Sequence, residues 1–290
     1  MNTSNKYQEA FGKFESIGTD HEVTEKVSEI LKEEAKQNFT PEVLKFIHGC
    51  IDLTSLSALD TKESIWKMVD SVNDFEGSRP DIPNVAAICT YPLFTETVKQ
   101  ALTAQDVKIA AVTGGFPASQ TFQEIKIAET ALAVMSGADE IDTVLNLGYL
   151  AEENYADLAE EIQEIKESAR GGKLKVILET GAISTVDSIS KATIISIYAG
   201  ADFIKTSTGK EFPGATPEAV YTICRIIKQY YSITGIKTGI KISGGIRKAE
   251  DAINYYSIVK HILGDQWLSK DYFRIGASSL AGDIIRHIGE

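Results

Sequence analysis

The chain has 290 residues, 43% of them hydrophobic, and a formal net charge of −12. That length allows one large domain or two small ones, with enough apolar content for a sizeable core. The negative balance argues against a nucleic-acid partner, since phosphate backbones are held mainly by Lys and Arg, yet a locally positive pocket for a small phosphorylated ligand remains open.

The three cysteines, Cys50, Cys89 and Cys224, are far apart and form no C-x-x-C pair, so a reduced, cytoplasmic setting is expected. The start, MNTSNKYQEAF, lacks the apolar core of a signal peptide. No run approaches the roughly 18 apolar residues of a membrane span, and a soluble protein without a membrane partner is expected.

Residues 1–45 do not share the rhythm of the rest of the chain. TDHEVTEKVSEILKEEAK places Val23, Val27, Ile30 and Leu31 on one helical face, with Thr19 and Glu22 at capping-box spacing. TPEVLKFI reads as a helix start with Pro41 at its first position. The expectation is a helical extension packed on the bottom or side of the remainder. No low-complexity linker intervenes, so 1–290 is read as a single domain.

From FIHGCIDLT onward, short apolar runs alternate with longer amphipathic stretches: NVAAICTYP, KIAAVTGGFP, EIDTVLNLG, KLKVILETG, ADFIKTSTG, GIKISGGI and YFRIGASS. The eight runs are far enough apart for a strand, a loop and a helix each time, which is the rhythm of a TIM (β/α)8 barrel. A doubly wound open sheet would alternate similarly. Here, however, polar residues collect at the C-terminal ends of several runs, where barrel enzymes build their sites. In TFQEIKIAETALAVMSGA, Ile125, Ala128, Leu132 and Met135 fall on one helical face and Gly137 sits at the helix end; Gly200 plays the same part after KATIISIYA.

The candidate chemistry lies along the runs. Asp52 on the first, Asp142 on the fourth and Glu179 on the fifth are carboxylates that alternation can point inward, and Cys89 ends the second as a small core residue. Lys205 ends the sixth run and Lys241 holds the corresponding place on the seventh. On adjacent strands the two ammonium groups would repel, and burial would add to that, both lowering the pKa. A neutral amine adds to carbonyls to give a Schiff base. The alternative is that either lysine snorkels to solvent or pairs with a carboxylate such as Glu179 or Asp202. Asp142 suits proton transfer or, alternatively, a structural role as partner of the lysines; Asp52 and Glu179 suit orienting them, and Asp52 is also expected among the substrate-binding residues.

Glycine-rich turns come after the seventh and eighth runs, where barrels bind phosphate through backbone N–H groups. Gly244, Gly245, Gly276, Ser278 and Ser279 are the expected donors, with Thr208 and Gly209 closing the nearby wall; Lys210 and Lys237 are read as surface or phosphate-facing. The four histidines show no ligand spacing, so no metal is expected. No G-x-G-x-x-G comes after a strand, and no cofactor is expected.

Taken together, DLTSL, AAICTYP, GADEID, KVILETG, GADFIKTSTG, KISGGIR and RIGASSL resemble the deoxyribose-phosphate aldolases, class I aldolases of the barrel fold, over about Ile51 to Leu280. The resemblance implies Lys205 as the Schiff-base lysine, Lys241 as the lysine that perturbs it and Asp142 as a helper in proton transfer. It also implies cleavage of 2-deoxy-D-ribose 5-phosphate to glyceraldehyde 3-phosphate and acetaldehyde in deoxynucleoside breakdown, by a homodimer. The chain departs from some members in ending RHIGE, without a tyrosine-ended tail, and in its longer N-terminal extension. Another Schiff-base barrel aldolase or a catalytically silent sugar-phosphate-binding protein are the competing readings.

Overall fold

A computed structural model describes residues 3–289. The extension comprises α1 (Thr3–Phe11), α2 (Asp20–Ile30), α3 (Lys36–Asn38) and α4 (Pro41–His48), with a π-helical turn, Leu31–Ala35, joining α2 to α3. Next come β1 (Ile51–Thr54), α5 (Lys62–Phe75), β2 (Ala87–Thr90), α6 (Thr95–Ala101), β3 (Lys108–Thr113), α7 (Gln123–Met135) and β4 (Glu140–Val144). The second half runs α8 (Leu147–Ala151), α9 (Tyr155–Ser168), β5 (Lys173–Ile177), α10 (Val186–Tyr198), β6 (Phe203–Lys205) and α11 (Pro217–Thr234). It finishes with β7 (Gly239–Ser243), α12 (Ala249–Leu263), β8 (Phe273–Ala277) and α13 (Leu280–Ile288).

All eight anticipated runs are strands. They pair in parallel in sequence order, and β1 closes on β8, so the sheet is a TIM barrel with its helices outside. Closure rather than an open doubly wound sheet removes both edges. It also turns alternate residues of every strand into the interior, where the side chains of non-neighbouring strands meet.

Sequence-local signals set the helix ends as expected. Thr19 and Glu22 form a reciprocal capping box on α2, and Thr40 caps α4 ahead of Pro41. Gly137 and Gly200 take positive φ directly after α7 and α10. One reading changes. The helix α7 forms, but the face of Ile125, Ala128, Leu132 and Met135 points to solvent, while Lys126, Thr130 and Ala133 are the buried positions. The inward face is polar because Lys126 donates to Glu161 on α9 and to Ser119, each at 2.8 Å, and Thr130 bonds Thr113 on β3.

The extension wraps the barrel's flank and bottom. Helix α1 packs on α9 and α10, with Phe11 edge-on to Tyr155 at 5.3 Å. Val23, Val27 and Ile30 of α2 are buried on the side facing α11 and α12. The Asp20 carboxylate accepts from Val186 N–H at 2.7 Å, capping α10 from a segment 166 residues away. Helix α4 packs on α12 and α13 just before β1 begins, at the end opposite the strand C-termini.

Candidate active site

The interior of the barrel is divided. On β2 and β3 the inward residues are small and apolar, and Ala87, Cys89, Ala110 and Val112 pack with Leu56, Tyr91 and Phe116. From β4 round to β1 they are charged. The ladder sets Asp142 beside Lys175, Lys205 beside Lys241, and Lys241 beside Arg274. Lys205, Lys241 and Arg274 therefore sit at one level, as expected for Lys205 and Lys241 on neighbouring strands, while Lys175 pairs with Phe203 one inward position below Lys205.

Asp142 is the hub. Its Oδ2 accepts from Lys205 at 2.8 Å and from Lys241 at 2.7 Å, and its Oδ1 accepts from Lys175 at 2.8 Å. Lys241 also meets Asp52 at 2.5 Å, Lys175 meets Glu140 at 2.7 Å, and Arg274 reaches Asp52 at 2.6 Å and Glu140 at 2.9 Å. Four cations, Lys175, Lys205, Lys241 and Arg274, thus face three carboxylates, Asp52, Glu140 and Asp142. One positive charge has no anion of its own. Burying an unbalanced charge is costly, and that cost lowers the pKa of the group least held by carboxylates.

That group is Lys205. Burial lowers its pKa, Lys241 lowers it further, and a share of Asp142 does not offset the two. Lys241 departs from expectation: burial acts on it too, but Asp142 and Asp52 outweigh burial and hold its pKa above the usual lysine range. Lys175 is likewise held charged, against burial, by Asp142, Glu140 and Asp52. Burial would raise the Asp142 carboxyl, yet the three lysines hold it well below the usual carboxylate range. The lysine pair is therefore asymmetric, with one amine poised to be neutral beside one fixed ammonium.

Other candidates fall into two sets. Lys205 lies at the floor of a cleft of about 500 Å3 at the C-terminal ends of the strands. Thr208, Gly209 and Lys210 form one wall, Gly244 and Gly245 the next, and Gly276 and Ser278 the third. Gly244 has φ +98°, and its backbone lies so close to Gly214 that a Cβ there would come within 2.6 Å of the Gly214 Cα; only glycine allows this approach. Asp52 does not border the cleft. It is fully buried beneath the lysines and engages Lys241 and Arg274, so it supports the site from below instead of touching a ligand. Ser279 is exposed at the start of α13 and does not line the cleft.

Neither carboxylate suggested as a lysine partner plays that part. Glu179 accepts from Thr208 N–H at 3.1 Å and Thr208 Oγ1–H at 2.5 Å, fixing the wall, and Asp202 pairs with Lys166 at 2.6 Å. Lys237 stands over Trp267 and Tyr272 ahead of β7, away from the phosphate-type turns. Cys89 is buried with its sulfur 3.9 Å from Asp142 Oδ2, and burial raises its pKa. A larger groove of about 710 Å3 between α2, α11 and α12 has mixed charge and none of the buried lysines.

Reasoning from sequence missed Lys175, Glu140, Arg274 and Arg247. The first three lie inside apolar runs, and only strict alternation, as in KLKVI, marks Lys175 as facing away from Leu174 and Val176. Arg247, in SGGIR, borders the cleft and adds a cation to Lys210.

An amine whose pKa is depressed beside an ammonium and a carboxylate, at the floor of a cleft edged by glycine turns and two cations, is equipped for imine chemistry on a carbonyl compound bearing an anion. Comparison with known proteins agrees. The pattern that defines the DeoC/LacD family aldolases matches residues 48–269. The chain belongs to that family. Among DeoC/LacD relatives, human deoxyribose-phosphate aldolase is 39% identical over 249 residues, covering 82% of this chain and 78% of the human one. The bovine enzyme of the same name is 38% identical over 250 residues with the same coverage. A solved structure described as a unique tetrameric deoxyribose phosphate aldolase from Aeropyrum pernix superimposes with a TM-score of 0.68 at 27% identity, over 89% of this chain and 95% of that one.

Proposed function

We propose that this DeoC/LacD family aldolase cleaves 2-deoxy-D-ribose 5-phosphate reversibly to D-glyceraldehyde 3-phosphate and acetaldehyde, with Lys205 as nucleophile. The observation that carries the reading is the asymmetric lysine pair: Lys205 is depressed by burial and by Lys241, while Lys241 keeps its proton beside Asp142 Oδ2.

The neutral Lys205 amine adds to the C1 aldehyde, and loss of water gives a protonated imine. Deprotonation of the C3 hydroxyl forms the C3 carbonyl as the C2–C3 bond breaks, and its electron pair passes into the imine, leaving an enamine on Lys205. Glyceraldehyde 3-phosphate departs. Protonation at C2 and addition of water release acetaldehyde and restore the amine. Asp142 Oδ2 is the acceptor within hydrogen-bond reach of the Lys205 nitrogen, and the Lys241 ammonium donates to that same oxygen.

The apolar wall of Leu56, Cys89, Tyr91, Val112 and Phe116 suits the two-carbon fragment, which carries no polar group besides the reacting carbon. The phosphate lies against Gly244, Gly245, Gly276 and Ser278, with Lys210 and Arg247 matching its charge. The protein acts as a homodimer in the cytoplasm. Its three cysteines are free and buried, and among the described residues no helix is long and apolar enough to cross a membrane.

Borohydride reduction with acetaldehyde, combined with peptide mapping, tests the mechanism. A two-carbon adduct on Lys205, absent from a folded Lys205→Ala variant, is expected. No adduct on the folded wild type would remove the reading and point to an aldolase acting on a ketose phosphate or to a silent binding protein.

A further inference from the structure

The polar groups that α7 turns inward converge on one loop. Lys126 is fully buried and lies 2.8 Å from the Glu161 carboxylate of α9, itself buried. Replacing such a pair by apolar residues of similar volume commonly leaves stability unchanged or raises it, so stability alone does not explain it. What a charge-assisted bond supplies is direction, because it fixes where its partners sit.

The partner fixed here is the loop between β3 and α7. The Lys126 ammonium also donates to Ser119 Oγ at 2.8 Å, and the Ser119 hydroxyl donates to the Val144 carbonyl at 3.0 Å. Val144 ends β4, the strand that carries Asp142, so the loop is registered against the hub of the lysine cluster. Ser119 holds φ +59°, which a residue other than glycine keeps only where its surroundings over-determine it. At the loop's start the Gly115 N–H donates to Glu129 of α7 at 3.0 Å, and Thr113 bonds Thr130 at 3.0 Å. Pro117, Ala118 and Gln120 are exposed, so what fixes the loop lies beneath it.

Between Gly115 and Ser119 stands Phe116. Its ring packs on the apolar half of the barrel interior, edge-on to Tyr91 with the centroids 5.9 Å apart.

We propose that Lys126 and Glu161 are positioning residues for substrate selection: through Ser119 they hold Phe116 as a wall against the two-carbon fragment, and so set the length of aldehyde that Lys205 accepts. The proposal rests on the aldolase reading above and deepens it. Neither Lys126 nor Glu161 borders the cleft, so both act through the loop. Without the bonds to Ser119 the loop is free to draw back by the width of a methylene, and one methylene in an apolar pocket is worth about tenfold or more in selection.

Borohydride trapping on Lys205, with acetaldehyde and with butanal, reads this selection in three variants. Lys126→Met combined with Glu161→Leu removes both charges and leaves neither buried alone. Ser119→Ala leaves the ion pair whole and removes only the hydroxyl that joins it to Val144. Phe116→Ala removes the ring itself. Each is expected to lower the acetaldehyde-to-butanal trapping ratio about tenfold or more. The charge-pair substitutions built on Phe116→Ala should lower it no further, because both act through one ring.

Circular dichroism and the urea midpoint separate selection from stability. A folded charge-pair variant with a shifted midpoint and the wild-type ratio makes the pair a structural contact only and overturns the proposal; if that variant does not fold, Ser119→Ala decides in its place. A wild-type ratio in Phe116→Ala removes the ring from the wall and the proposal with it. A further fall on the Phe116→Ala background shows the pair acting on another element and overturns the route through the loop. No acetaldehyde adduct on the folded wild type overturns instead the aldolase reading on which the proposal rests.

Discussion

Replacing Lys241 by methionine removes one of the two ammonium groups that share Asp142 Oδ2 while keeping an unbranched side chain of similar length. With both nitrogens within 2.8 Å of that oxygen, they lie about 4–5 Å apart. At an effective dielectric of about 20 their repulsion is about 3.5–4 kcal/mol, equivalent to about 2.5–3 pH units. The sign is set by which form reacts. The depressed Lys205 amine is neutral, and nucleophilic, only above its pKa; without Lys241, Asp142 Oδ2 serves Lys205 alone, its pKa rises and a higher pH is needed.

The rate of borohydride trapping with acetaldehyde, measured against pH, isolates this ionisation from any part Lys241 plays in proton transfer. The rising limb should move up by about 2.5–3 pH units, and trapping below it should slow about 300- to 1,000-fold. Asp52 keeps Arg274 and Asp142 keeps Lys175, so the variant should fold. A folded variant whose limb does not move would refute the argument from charge balance.

Arg247→Met should raise KM for the sugar phosphate about tenfold or more, as loss of a charge-assisted phosphate contact does, and leave trapping of unphosphorylated acetaldehyde unchanged; equal losses in both assays would place Arg247 outside phosphate recognition. Glu161→Gln leaves Lys126 buried without its carboxylate, which should cost about 3–5 kcal/mol and lower the urea midpoint, and an unchanged midpoint would mean that Ser119 alone satisfies the ammonium.

The strand rhythm was legible because alternation and helix punctuation depend on near neighbours. Thr19 with Glu22, Thr40 with Pro41, and Gly137 act within a turn of their own position, and each does in the fold what its spacing implies. Lys205 and Lys241 were legible as a pair for a related reason: each is an inward residue near the end of one of two consecutive runs, and consecutive parallel strands lie side by side. The outward stripe of α7 was half legible. Periodicity states which residues share a face, but what covers that face depends on Glu161 and Thr113, which fold toward the opposite one.

The sequence by itself thus determined the barrel and the level at which its reactive groups sit. Only the tertiary structure decided which lysine has its pKa lowered and which has it raised. Asp52, Asp142, Lys175 and Arg274 come from four strands spread over 222 residues, and barrel closure brings them into one buried cluster. Ionisation responds to the summed field of everything within a few ångströms. A lysine near the end of a run therefore reads the same in sequence whether carboxylates will hold it charged, as they hold Lys241, or leave it short of an anion, as they leave Lys205.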